Sequence, residues 1–173
     1  MRLNIGSGKT RIEGFINVDI RAFEGVDQVA DITVTPWPWP DNSVEEVECN
    51  HVIEHLTAPQ RVAFINELYR VLKPDAMATI TAPHWSSARA YGDLTHQWPP
   101  VCEFWYEYLR KEWREENAPH SNYNPEVDFD FTIGYSFSSN LNESNREAQI
   151  FAITWYKEAI QDIGAKLIKR IRS

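Results

Sequence analysis

Three groups of residues in this 173-residue chain have types and spacing that can do chemistry. The first is Gly6-Ser7-Gly8 followed by Asp19. A glycine turn at the end of the apolar run Leu3-Asn4-Ile5 lets a ligand approach backbone N–H groups that a Cβ would shield. Asp19 closes the next apolar run, Phe15-Ile16-Asn17-Val18, and an ionised carboxylate there can accept both hydroxyls of a ribose. The pair reads as a nucleoside-binding crevice, or on residue types alone as a structural turn. Two phosphate-binding readings fail on spacing. A P-loop needs a glycine five positions before Gly8, where Leu3 stands. A dinucleotide fingerprint needs a third glycine where Arg11 stands, which disfavours a nicotinamide-dependent oxidoreductase.

The second group, His51-Val52-Ile53-Glu54-His55, has the H-x-x-E-H spacing of some zinc peptidases. It follows a strand directly, and the sequence shows no third ligand, so no metal is expected. The third group is His84, Asp93 and His96, in a long connection rich in His, Trp, Ser and Gly. A histidine there can act as a general base near neutral pH. The same side chains can equally brace a tryptophan-rich loop.

The elements that must position these groups are short. Strands are expected at Arg2–Ile5, Phe15–Val18, Val26–Ala30, Val44–Cys49 (buried) and Met77–Thr81. Pro36-Trp37-Pro38-Trp39-Pro40 cannot be helical, and Asp41-Asn42 turns the chain. Thr57-Ala58-Pro59-Gln60 is a capping-box pattern that opens a helix with Val62, Ile65, Leu68, Tyr69 and Leu72 on one face, ended by Lys73-Pro74. Residues 82–100 form a loop long enough to be functional. A helix is expected from about Pro100, with Val101, Phe104, Trp105, Tyr108 and Leu109 on one face, then a polar loop over Glu115–Asp128. Phe129, Phe131, Ile133, Tyr135 and Phe137 alternate with polar residues as a half-buried strand. Ser144-Asn145-Arg146-Glu147 caps a helix with Ala148, Phe151, Ala152, Trp155 and Ala159 on one face. Gly164 turns into a last strand, Ala165–Ile171.

These elements fit one α/β domain over residues 1–173. The net charge of −8 disfavours bulk nucleic acid and anionic membrane as partners, while basic residues gather near Lys166–Arg172. Two cysteines are too few for a disulfide framework; with no signal peptide or long apolar span, they suit a cytoplasmic chain. Seven tryptophans, several beside prolines, make either the walls of a pocket or a core of large rings.

Taken in order, several of these segments resemble the small class I S-adenosylmethionine-dependent methyltransferases of the type-11-like group. They are Leu3 to Gly8, Asn17-Val18-Asp19, Ala30-Asp31-Ile32 with the Pro-Trp run to Ser43, Asn50 to Leu56, and Glu67 to Pro74. Residues 82–87 and 92–96 look like stretches of one branch of that group. The resemblance implies a Rossmann-like, mostly parallel seven-stranded sheet with helices on both faces. It divides the domain into a cofactor half over about residues 1–83 and an acceptor-site loop with the C-terminal part over about 84–173. It also implies roles for individual residues. Gly6, Ser7 and Gly8 would pass beneath the methionine moiety of S-adenosyl-L-methionine, and Asp19 would hold the ribose. Ile20 and Ile32 would sandwich the adenine, Asp31 would accept from its amine, and Asn50 and His51 would line the ammonium and methyl groups. Separately from the resemblance, the residue types of the long loop suggest that His84 or His96, with Asp93 orienting one of them, would take a proton from a small-molecule or other acceptor, walled by Trp85, Trp98 and Trp105. The pattern departs at Asn4, where an acid is usual, and at Lys9-Thr10, which replaces a later glycine. Only about nine residues join the first two strands, against the dozen of an ordinary crossover, so the first crossover is shortened. An open cofactor side would also suit a non-catalytic module that binds S-adenosylmethionine or S-adenosylhomocysteine.

Overall fold

The computed structural model describes residues 1–121, 125–142 and 144–170. Ile171 and Arg172, at the end of the expected last strand and basic cluster, lie outside the described residues. Seven strands form one sheet: β1 (Arg2–Ile5), β2 (Ile16–Asp19), β3 (Gln28–Val29), β4 (Val44–Asn50), β5 (Leu72–Pro83), β6 (Phe129–Phe137) and β7 (Ile160–Lys169). Their order is β3-β2-β1-β4-β5-β7-β6. The first five run parallel, and β7 is antiparallel to both β5 and β6. The chain reverses direction across the sheet between β1 and β4, where α/β folds bind ligands beyond the strands' carboxyl ends. No helix among the described residues is long and apolar enough to cross a membrane.

The short crossover is explained by two buried asparagines. Asn4 Nδ2 donates to the Thr10 carbonyl and to Asn17 Oδ1, each at 2.9 Å, and Asn17 Oδ1 also accepts the Ile12 N–H. Asn17 Nδ2 and its backbone N–H both reach Asp27 Oδ2. Side-chain amides thus satisfy the turn that joins β1 to β2, the Asp27 carboxylate ties β2 to the approach to β3, and no α-helix stands in either connection.

One face of the sheet is buried. Leu3, Ile5, Val47, Cys49, Ala78, Ile80, Ala165 and Leu167 form a core with Phe64, Leu68 and Val71 of α1 (Ala58–Val71). The expected buried strand Val44–Cys49 is only half buried. Its alternate residues Glu46 and Glu48, like Thr79 and Thr81 beside them on β5, remain partly in water. The polar alternation in V-E-E-V-E-C is the sequence mark of that wet face.

Helix α1 begins at the predicted capping box, Thr57 with Gln60. It does not end in a loop at Lys73-Pro74. The chain passes directly into β5, where Leu72 pairs with Val44. The Pro-Trp run packs on this helix as core. Trp37 and Trp39 are buried edge to face, and Trp37 meets Phe64 in the same way. Glu67 accepts the Trp37 N–H and a two-pronged contact from Arg70, which also reaches the Trp39 carbonyl.

Later elements depart further from expectation. Between β5 and β6 lie α2 (Arg89–Gly92), α3 (Glu103–Glu107) and α4 (Lys111–Asn117). The single helix expected from Pro100 is therefore two, and part of the expected polar loop is α4. Tyr106 is fully buried with its hydroxyl on the Ile80 carbonyl, whereas Phe104 is exposed. One and a half turns are too short to sustain a five-residue stripe. Between β6 and β7 come α5 (Ser139–Asn142) and α6 (Arg146–Trp155), the latter capped by Asn145. Of the expected apolar face, Ala152 and Ala159 are buried, while Phe151 and Trp155 are exposed.

Candidate active site

The glycine turn leaves β1 in a left-handed bend, with Gly6 at φ +69° and Gly8 at φ +53°. Side chains with a Cβ rarely adopt that region. The Gly8 N–H donates to Asp19 Oδ2 at 2.8 Å, so the turn and the tip of β2 are in direct contact. Asp19 Oδ1 accepts the Arg21 N–H at 2.9 Å. Each carboxylate oxygen keeps a second lone pair for a ligand. Asp31 is oriented in the same way. Its Oδ1 accepts the Thr33 hydroxyl and N–H, and these bonds hold its carboxyl below the usual range.

A cleft of about 260 Å³ lies between these strand ends. Val18, Ile20, Ala30, Ile32, Val52 and Leu56 make it apolar, and Gly6, Asp19, Asp31, His51 and His55 add the polar contacts. A Cβ on Gly6 would meet a Val52 methyl at 2.2 Å, so only glycine admits Val52 against the turn. Flat apolar walls with a carboxylate at the tip of β2 and another just past β3 suit an adenosine. The acidic lining suits a ligand of positive charge. Of the nine residues expected at the cofactor, Gly6, Asp19, Ile20, Asp31, Ile32 and His51 line this cleft. Ser7 is buried beside it, Gly8 acts through Asp19, and Asn50 is an exposed residue at the end of β4.

His51 turns the chain out of β4 at φ +56°, a conformation costly for a residue with a Cβ. Its N–H is fixed on the Thr81 carbonyl, and its Nδ1 lies 3.2 Å from Glu54 Oε1. The bond to Glu54 raises the His51 pKa against the opposing effect of burial. Glu54 lies in a 3-10 turn, Ile53–His55, and is 4% exposed.

A second cavity of about 440 Å³ adjoins the first, lined by His51, Glu54, His55, Pro83, Arg89, Gly92, Asp93 and His96. His51 and His55 belong to both. The loop that brings Asp93 and His96 here is held by Arg61 of α1. The buried guanidinium donates to the carbonyls of Ile53 and Leu56 on one side and of Gln97 and Pro99 on the other. The Gln97 N–H completes the joint on the Glu54 carbonyl at 2.7 Å.

The three expected acid–base residues are therefore separated. Asp93 and His96 line the cavity, whereas His84 does not. His84 is 3% exposed, with Nδ1 on Ser86 Oγ and Nε2 on Glu103 Oε1, so it braces the loop from inside. Trp85 and Trp98 are exposed, and Trp105 lines a separate apolar cavity beside Arg61. None of the three walls the space beside His51. Sequence reasoning missed Glu54, His55 and Arg89 as cavity residues. The H-x-x-E-H spacing carried a signal for the first two, but nothing local marked Arg89.

Known proteins share the fold that carries these cavities. Residues 13–80 match the family model described as a methyltransferase domain. No curated protein sequence matches the chain. Among solved structures, a SAM-dependent methyltransferase from Archaeoglobus fulgidus is similar at 21% identity and TM-score 0.68, over 97% of this chain and 85% of that one. A structure described as a SAM-dependent methyltransferase from Methanosarcina mazei is similar at 14% identity and TM-score 0.56, over 99% and 92%. The [4+2]-cyclase SpnF is also similar, at 14% identity and TM-score 0.55, over 99% and 75%. The shared fold thus includes a protein named for different chemistry.

Proposed function

We propose that this chain, whose residues 13–80 match a methyltransferase-domain model and whose fold is similar to that of solved SAM-dependent methyltransferases, transfers a methyl group from S-adenosyl-L-methionine to an acceptor seated beside His51. The observation that carries this reading is the pair of adjoining cavities with His51 and His55 as their common wall. A nucleoside-shaped cleft alone would serve a binding module. A second, polar cavity opening where the methyl would emerge gives an acceptor a place to react.

The cofactor supplies a methyl group already activated on a sulfonium. The chain's part is orientation and exclusion of water. Asp19 holds the ribose hydroxyls with its free lone pairs, braced by the Gly8 and Arg21 N–H groups. Ile20 and Ile32 flank the adenine, and Asp31 accepts from its amine. Gly6, with Ser7 and Gly8, supports the methionine chain, and Asn50 and His51 face its ammonium and methyl ends. Arg89, Asp93 and His96 orient the acceptor. His96 rather than His84 is the loop histidine that can touch it.

Calorimetric titration with S-adenosyl-L-methionine should give one site. Asp19→Ala should weaken it about 10- to 100-fold, as expected for charge-assisted hydrogen bonds worth about 1.5–3 kcal/mol. Release of labelled methyl into a cell-extract acceptor pool then separates transfer from binding alone. Tight binding with no transfer from any extract would leave a non-catalytic module.

A further inference from the structure

We propose that Glu54, His55 and His96 form a binding site for a divalent first-row transition-metal ion whose open positions face the acceptor cavity. One donor atom of each residue lies within 4.8 Å of the others. The loop supplies in His96 the third ligand that the sequence did not show.

The hydrogen bonds around the two rings fix which nitrogens are available. The Thr95 hydroxyl donates to Asp93 Oδ1 at 2.7 Å, so its oxygen receives the His55 Nδ1–H at 2.8 Å. His96 Nδ1 lies 3.2 Å from the Ala90 carbonyl, which can only accept. The neutral form of each imidazole therefore carries its hydrogen on Nδ1 and a lone pair on Nε2. A ring nitrogen tied to a carbonyl or to a carboxylate relay is how metal-ligating histidines are held. Glu54 supplies the independent observation. It is 4% exposed, its Oε1 is occupied by His51, and its buried Oε2 has no hydrogen-bond partner among the described residues. Leaving a buried carboxylate oxygen unpaired is costly, and a cation removes that cost.

Two imidazoles and one carboxylate suit zinc, iron, cobalt or nickel better than magnesium or calcium. Bonds of about 2.0–2.2 Å require the donors to close in from their present spacing. His55 is exposed and His96 half-buried, so both rings have room to move. Three protein ligands leave positions free for an exogenous donor, as in catalytic rather than structural sites. Resting on the methyl-transfer reading, those positions point to an acceptor with a coordinating oxygen, a hydroxyl or carboxylate.

The test is titration of the chelator-stripped protein with Zn²⁺ and, separately, with Co²⁺, followed by calorimetry and by the visible absorption of bound cobalt. One equivalent should bind. His55→Ala and His96→Ala should each lower affinity by more than about 100-fold, and Thr95→Val, which removes the hydroxyl that links His55 to Asp93, by about 10- to 100-fold. Thermal melts of each variant exclude loss of fold. No saturable site, or wild-type affinity in either histidine variant, overturns the proposal. The metal titration needs no cofactor, and cofactor binding is measured with chelator present. A chain that binds S-adenosyl-L-methionine but no metal removes this site and leaves the proposed function standing, and the converse result does the reverse.

Discussion

At the scale of single residues, the separation of His84 from His96 has a measurable counterpart in acid. Glu103 is held at a pKa of about 2, chiefly by its bond to His84 and further by the Tyr135 hydroxyl. In the unfolded chain this carboxyl titrates near its ordinary value of 4.5. Its contribution to stability is therefore complete above that value and is lost as pH falls toward 2. Chemical denaturation at a series of pH values should show stability falling through this window, and Glu103→Gln should flatten the fall. A mutant with the wild-type slope would mean that the His84–Glu103–Tyr135 cluster contributes nothing. The sequence named His84 as a residue of interest but could not say which way it faces. Two histidines twelve positions apart on one loop look alike until packing sends one inward.

At the scale of elements, legibility followed locality. The capping box at Thr57, the glycine turn and the alternation of β6 were readable because each is a pattern within a few residues. The missing first helix was also readable, since nine residues cannot make an ordinary crossover. Its replacement by the Asn4–Asn17 pair was not, because that bond links residues thirteen apart. The same limit hid the splitting of α3 from α4 and the role of Arg61, whose four carbonyl partners span residues 53 to 99. Arg61→Ala would leave those carbonyls without their donor. It should cost about 3 kcal/mol, lowering the melting temperature by about 6–12 °C. Because the site's loop hangs from this guanidinium, acceptor binding should weaken even at temperatures where the variant is folded. A fall in melting temperature under about 2 °C would show that the loop is held by something else.

At the scale of the whole molecule, the mostly parallel seven-stranded sheet was legible because it follows from strand patterning and from the family resemblance of the first half. The second half was less so, since α6 leaves much of its apolar face to water. Two cavities built at one edge share a wall of two histidines, and that has a thermodynamic corollary. An occupant on one side changes the surroundings of the same rings that bound the other side, so the two binding equilibria are linked. Linkage is reciprocal: whatever factor the first occupant applies to the second, the second returns unchanged. Measuring cofactor affinity with and without a saturating acceptor, then acceptor affinity with and without a saturating cofactor, should give one and the same ratio, different from unity. His55→Ala should bring that ratio closer to one.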